Sequence, residues 1–395
     1  MSMMLPLTHS AGETRRMWSP RSLVAAMATL ALLAAAVTAQ ADDGYDLWLR
    51  YAPANADTAT TARIRQLVSP AATPVQMAAQ RELLRGLAGV SGTAPAQADR
   101  VDRAGALLVG TPASSPQIAA LGLDLEGLGE EGYRIRSVDV GGHATTVVAA
   151  NSDVGALYGS FHLLRLLQNG RPLDGLDIRE APRLGLRVLN HWDNLDRYVE
   201  RGYSGQSIWD WHRLPGWLDP RYTDYARANA SIGINGAVLN NVNSNALSLT
   251  APYIAKTAAL AEVFRPYGVR VYLSARFSAP MEIGGLDTAD PLDPRVRAWW
   301  KAKADEIYAA VPHFGGFLVK ANSEGQPGPQ DYGRTHADGA NMLAEALAPH
   351  GGIVMWRAFV YSHDNPDDRH KQASAEFEPL DGRFLSNVIF QVKNG

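Results

Sequence analysis

The chain has 395 residues, 46% of them hydrophobic, with a net charge of -3 and no cysteine. That length can bury a large core and hold two domains of ordinary size, and its interspersed charges form no basic stripe of the kind that follows a phosphate backbone, which excludes nucleic acid as the expected partner. Without disulfide staples, stability must rest on the core.

Arg15, Arg16 and Arg21 precede an apolar run from Leu23 to Val37, and Ala39-Gln40-Ala41 puts small residues where a signal peptidase cuts. The run is short for a membrane span. Residues 1–41 are therefore expected to be a signal peptide, and the protein to be periplasmic or extracellular with no membrane contact after cleavage.

Residues 42–180 read as an N-terminal α/β layer domain. Strands are expected at Ala106 to Val109, Gly132 to Val138 and Thr145 to Ala150. A helix from Asp153 to Leu167 carries Ala156, Leu157, Phe161, Leu164 and Leu167 on one face, with Asn151-Ser152-Asp153 as its capping region. No convergent set of polar groups marks this domain as catalytic.

Glu180-Ala181-Pro182 looks like a boundary, and from 181 to 395 strands and helices alternate. Strands are expected at Leu184 to His191, Gly236 to Val242, Val269 to Phe277, Gly315 to Asn322, Ile353 to Val360 and Asn387 to Val392. Helices are expected at Tyr222 to Ser231, Ala251 to Tyr267, Pro294 to Val311, His336 to Ala348 and Arg369 to Phe377. Apolar strands alternating with helices indicate a parallel sheet covered by helices. A closed barrel takes eight strands, so the expected fold class is α/β, an accessory layer followed by an incomplete (β/α)8 TIM barrel of about six strands, expected to be truncated at Gly395. The rival, an open doubly wound sheet, normally carries a glycine-rich phosphate turn that no strand here precedes.

Each strand of the second domain finishes in polar residues: Asn190 to Asp193 with Trp192 among them, then Asn240, Asn241 and Asn243, then Arg276. The fourth strand delivers Lys320, Asn322 and Glu324, the fifth Trp356, Arg357 and Tyr361, and the sixth Gln391, Lys393 and Asn394. Active sites of α/β barrels are built at strand C-termini. At any single position, capping a loop or helix competes with contact to a ligand. Lys320, Arg357 and Lys393 on neighbouring strand ends point to an anionic substrate, because three cations repel one another and Arg offers a fork that fits a carboxylate; ion pairs to Glu324 or Asp381 are the competing role. Glu324 is a candidate general acid. Trp192 and the Trp209-Asp210-Trp211-His212 cluster are candidate stacking walls or a loop core. The histidines have no metal-ligand spacing, and no metal is inferred.

These motifs resemble glycoside hydrolase family 67, the α-glucuronidases. The resemblance runs from the start DDGYDLWLRY through LYGSFHLL, RVLNHWDNLD with ERGYSGQSIW, GINGAVLNNVN, LVKANSEGQPGP, VMWRAFVY and LDGRFLSNVIFQVKNG. It implies release of α-1,2-linked glucuronic or 4-O-methylglucuronic acid from glucuronoxylan-derived oligosaccharides, with inversion and without a cofactor. By position, Glu324 matches the family's general acid, Lys320, Arg357 and Lys393 the residues that hold the uronate carboxylate, Trp192 a wall of the uronate pocket, and Val242 a pocket residue in the asparagine-rich turn.

The resemblance also implies that the carboxylates activating water lie beyond Lys393-Asn394-Gly395, followed by a helical domain. An inverting hydrolase needs two carboxyl groups roughly 6.5 to 9.5 Å apart; Asp364 and Asp381 are the nearest local carboxylates, and neither matches a catalytic position. A chain ending at Gly395 is thus expected to lack the base and to form a homodimer only with the missing C-terminal region. The alternative function is a catalytically inactive protein that binds uronates or oligosaccharides.

Overall fold

The computed structural model describes residues 43–53, 64–323, 325–358 and 371–392. The expected signal peptide lies outside them. The chain divides into two structural units, Met1–Leu49 and Arg50–Gly395. In the first, the described residues form turns, with the Leu47 amide donating to the Gly44 carbonyl (3.2 Å) and the Leu49 amide to the Asp46 carbonyl (2.9 Å). Everything below concerns the second.

Its first sheet contains β1 (Gln66–Val68), β2 (Ala96–Gln97), β3 (Ala106–Gly110), β4 (Tyr133–Val140), β5 (His143–Ala150) and β6 (Asp177–Glu180), in the order β2-β1-β3-β5-β4-β6. The first four in that order are parallel, and β4 runs antiparallel to both β5 and β6. The sheet is accompanied by α1 (Pro74–Ser91), α2 (Pro116–Ala120) and α3 (Asp153–Gln168). The expected β3, β4, β5 and α3 are present, with ends displaced by at most a couple of residues, as fraying allows. The long helix α1 was not expected from its sequence. Its buried positions include Ala78, Ala79 and Gly86, too small to draw an apolar stripe, although its ends are well marked: Thr73 and Gln76 form a capping box, Pro74 opens the first turn and Gly92 closes the last in the left-handed region. β1 and β2 are too short to show alternation.

The second sheet is wholly parallel, with its strands in chain order: β7 (Val188–Asn190), β8 (Gly236–Val238), β9 (Arg270–Ser274), β10 (Gly316–Val319), β11 (Ile353–Arg357) and β12 (Val388–Gln391). Between them lie α4 (Pro220–Ser231), α5 (Ala251–Phe264), α6 (Ala279–Glu282), α7 (Pro294–Ala310), α8 (His336–Leu347) and α9 (Gln372–Phe377). This sheet is curled into a six-stranded half-barrel. The strands are three to five residues long; β8, β9 and β10 stop short of their expected ends, where the chain leaves the ladder to form turns, β7 begins at Val188 where Leu184 was expected, and the expected end of β11 at Val360 lies outside the described residues. The edge strands are only partly covered, and Leu189, Ile389 and Phe390 are exposed.

Side-chain alternation sorts the half-barrel. Val238, Tyr272, Leu318 and Met355 form one inner cluster with Val188, Leu186 and Ile353, while the strand residues between them face outward, as Phe317 does against Trp300 of α7 (ring centroids 5.8 Å). Gly316 sits on the inner face with φ 134°, and a Cβ there would run into the Ile353 carbonyl oxygen, so no larger residue lets β10 and β11 approach this closely. A buried ion pair joins the two layers. Arg227 on α4 donates from Nε (2.7 Å) and Nη2 (2.8 Å) to the Glu82 carboxylate on α1, which also accepts the Tyr51 hydroxyl at 2.5 Å.

Candidate active site

Residues two beyond an inward apolar residue also point inward. Val188 is followed by Asn190 and Trp192, Val238 by Asn240 and Val242, Tyr272 by Ser274, Leu318 by Lys320, and Met355 by Arg357. One pleat past the apolar layer, the C-terminal rim therefore turns polar. The β10–β11 register pairs Val319 with Trp356, so Lys320 and Arg357 are the next neighbours. Like charges facing each other across strands are unfavourable, and these two cations are 4% and 7% exposed. A negatively charged group beside them would offset that repulsion.

Trp192 and Val242 belong to the same inner cluster. The Arg357 guanidinium carbon lies 5.6 Å from the Trp192 ring centroid, within cation–π range. Lys320 Nζ donates to Asn243 Oδ1 at 2.9 Å. Four residues named from sequence, Trp192, Val242, Lys320 and Arg357, thus converge on one rim. Glu324, Tyr361, Asp364, Lys393 and Asn394 lie outside the described residues.

Other strand-end polar residues have structural duties. Asn240 extends the ladder where the strands stop: its Oδ1 accepts the Ser274 amide (2.8 Å) and its Nδ2 donates to the Ser274 carbonyl (3.1 Å). Asn322 adopts φ 50°, and its Oδ1 accepts the Gln330 amide at 3.2 Å. Gly328 packs so close to that side chain that a Cβ would collide with Asn322 Oδ1. Arg276 donates to Glu282 (2.5 Å) and to Gln326 Oε1 (3.0 Å), clasping the β9 end to the loop after β10. The far end of that loop is held by Arg334, whose Nη2 meets Asp290 Oδ2 at 2.9 Å; hydrogen bonding to Arg334 keeps the Asp290 carboxyl below its ordinary range.

Of the two roles open to Trp209 and Trp211, stacking wall or loop core, both take the second, being 0% and 1% exposed. Trp209 packs edge-on against His191 and Tyr225. His191 faces outward from the barrel, its Nε2 2.7 Å from the Tyr225 hydroxyl and its Nδ1 3.4 Å from Asp193 Oδ1; burial pushes the Tyr225 phenol above its ordinary value. Trp356 also points outward, donating from Nε1 to His336 Nδ1 (3.2 Å). That bond leaves the imidazole hydrogen on Nε2, which faces Glu376 at 3.0 Å. A cavity of about 730 Å³ opens there, lined by Asn322, Gln330, His336 and Glu376 among others. Asp381 sits exposed in a turn, its carboxylate accepting the Gly382 amide.

The contact of Asn243 with Lys320 could not be read from sequence, because 77 residues separate them. Nor could the Arg276–Gln326 clasp, for the same reason.

Among protein-family models, the glycosyl hydrolase family 67 N-terminus matches residues 47–163 and the glycosyl hydrolase family 67 middle domain residues 166–395. A protein named probable alpha-glucuronidase A from Aspergillus fumigatus is 41% identical over 377 residues, covering 92% of this chain and 44% of the relative. Alpha-glucuronidase A from Emericella nidulans is 40% identical over 378 residues, covering 91% and 44%. The chain therefore spans less than half the length of these curated relatives. Among solved structures, a GH138 enzyme targeting pectin rhamnogalacturonan II superposes with a TM-score of 0.52 at 15% identity, over 83% of this chain and 38% of the other. At that identity the likeness concerns the fold alone.

Proposed function

Because this chain belongs to glycoside hydrolase family 67, we propose that it carries the uronate-recognising part of an α-glucuronidase. The substrate is α-1,2-linked glucuronic or 4-O-methylglucuronic acid on xylo-oligosaccharides, and hydrolysis proceeds with inversion. The observation that supports this reading best is the rim itself: buried Lys320 and Arg357 on adjacent strand ends, beside the apolar wall of Trp192 and Val242. A uronate ring presents one carboxylate and otherwise weakly polar faces, which is the complement of two cations next to an indole. In this reading Lys320, Arg357 and Lys393 hold the carboxylate, Trp192 and Val242 hold the ring, and Glu324 protonates the leaving glycosidic oxygen. A second carboxylate must activate water from the opposite face of the sugar. The same proposal places the protein in the periplasm or outside the cell, on the basic, apolar and small-residue pattern of residues 15–41.

The test is to incubate the protein with an aldouronic xylo-oligosaccharide and follow release of free uronic acid, alongside calorimetric binding of the same oligosaccharide and its neutral counterpart. Release, or selective binding of the acidic form without release, supports uronate recognition, and the second outcome identifies a binding protein. Equal affinity for acidic and neutral forms with no release overturns the proposal.

A further inference from the structure

We propose that Asn243 is a positioning and specificity-determining residue: its neutral amide oxygen aims the Lys320 ammonium without placing a negative charge where a ligand carboxylate must sit. This inference rests on the assignment of Lys320 to uronate recognition made above. Asn243 Oδ1 accepts a hydrogen bond from Lys320 Nζ at 2.9 Å. The acceptor is itself held in place. The Asn243 amide donates to Asn241 Oδ1 (2.9 Å), the Ser244 amide to the Asn241 carbonyl (2.9 Å), and the Asn241 amide to the Asp193 carbonyl (2.8 Å). Asn241 is 2% exposed. A continuous run of hydrogen bonds therefore ties the ammonium on the fourth barrel strand to the segment that carries Trp192 on the first, so the cation and the aromatic wall keep a fixed relation. Val242, between the two asparagines, packs into the cluster that includes Trp192.

The choice of amide over carboxylate has a physical consequence. A carboxylate would hold the ammonium more strongly, since charge-assisted bonds are roughly twice as strong as neutral ones. It would also repel any anionic ligand brought to the same ammonium. Asn243 is only half-buried and so borders the space a ligand enters; the amide orients Lys320 and adds no negative charge of its own. Glutamine could not substitute, because one more methylene moves the oxygen off a backbone that is already fixed by its turn.

The experiment compares wild type, Asn243→Asp and Asn243→Ala, in the full chain, for binding of D-glucuronate and of its neutral isostere D-glucuronamide. Asn243→Asp keeps the acceptor and the shape, and it is expected to weaken glucuronate on the order of tenfold or more while leaving glucuronamide within about twofold. Equal losses for both ligands, or no loss for either, overturn the specificity role. A ligand-free arm measures labelling of Lys320 by an amine-reactive reagent, read by mass spectrometry: faster in Asn243→Ala and slower in Asn243→Asp is expected, and equal rates in all three proteins overturn the positioning role. If wild type does not distinguish glucuronate from glucuronamide, the uronate reading itself fails, and the labelling arm still decides whether Asn243 positions Lys320. Circular dichroism checks folding; should Asn243→Ala not fold, Asn243→Ser takes its place.

Discussion

The guanidinium of Arg357, at the end of β11, lies 5.6 Å from the ring centroid of Trp192, just past the end of β7, although three strands separate them. In a flat sheet, four spacings of about 4.8 Å would hold the two backbones roughly 19 Å apart. The curl of the sheet, together with two long side chains reaching inward, closes that distance. Arg357 should therefore matter both as a charge and as a plane. Arg357→Ala is expected to abolish the preference for glucuronate over glucuronamide. Arg357→Lys keeps the charge but loses the fork and the stacking, and should still cost about tenfold in glucuronate affinity. Calorimetry showing Arg357→Lys equal to wild type would refute the planar role.

Glu324→Gln, in whichever form of the protein turns over, should lower kcat by about 10² to 10⁴ with substrate affinity nearly unchanged, since only the proton donor is lost. Pre-steady-state binding and turnover of an aldouronic oligosaccharide separate the two effects. Unchanged turnover removes Glu324 from the acid role.

Asn322 holds the loop after β10 by a left-handed turn and by its bond to the Gln330 amide. Asn322→Ala loses the bond and strains the backbone, which should cost about 1–3 kcal/mol in urea denaturation. Asn322→Gly relieves the strain and should cost less. Equal costs for the two variants would mean that the side-chain bond, and not the backbone conformation, carries the turn.

Glu82 and Arg227 are each only 4% exposed. Truncating one partner leaves the other charge buried, so Glu82→Gln or Arg227→Ala is expected to destabilise by about 3–5 kcal/mol. A double replacement by apolar residues of similar size, Glu82→Met with Arg227→Met, should cost less than either single change. Chemical denaturation of the three variants checks the order.

His162 packs beside the Tyr133 hydroxyl (2.8 Å), and burial first, then Arg165, lowers its pKa below the ordinary histidine value. Near neutral pH both the folded and unfolded chains carry it uncharged, and its contribution is fully present. As pH falls through the unfolded value of about 6.5, the unfolded chain takes up a proton that the folded one refuses, so stability drops until the lower folded value is passed. His162→Gln should flatten the stability curve across that window; an unchanged slope would assign the pH dependence to other groups.

Lys320 and Arg357 were legible as a pair because each ends an apolar strand, and period-2 alternation then places both on the inner face. The asparagines were not separable in the same way. Asn240, Asn241, Asn243 and Asn322 have identical side chains at similar strand-end positions, yet one completes a ladder, one builds a turn, one aims a lysine and one buckles a loop. An amide that donates and accepts serves backbone and ligand equally well, so only its neighbours decide. Trp209 and Trp211 were likewise ambiguous, and went to the core because α4 and α5 supply Tyr222, Tyr225, Tyr253 and Phe264 around them.

By itself the sequence determined the alternation of strands and helices, the inward parity of the site residues and the family, since all three are written in local spacing and in motifs. The tertiary structure alone decided which polar residues share a contact across 77 positions, where each strand stops, and that Trp192 faces Arg357. Those depend on the curl of the sheet and on which backbone groups remain to be satisfied, and neither is a property of any short stretch of chain.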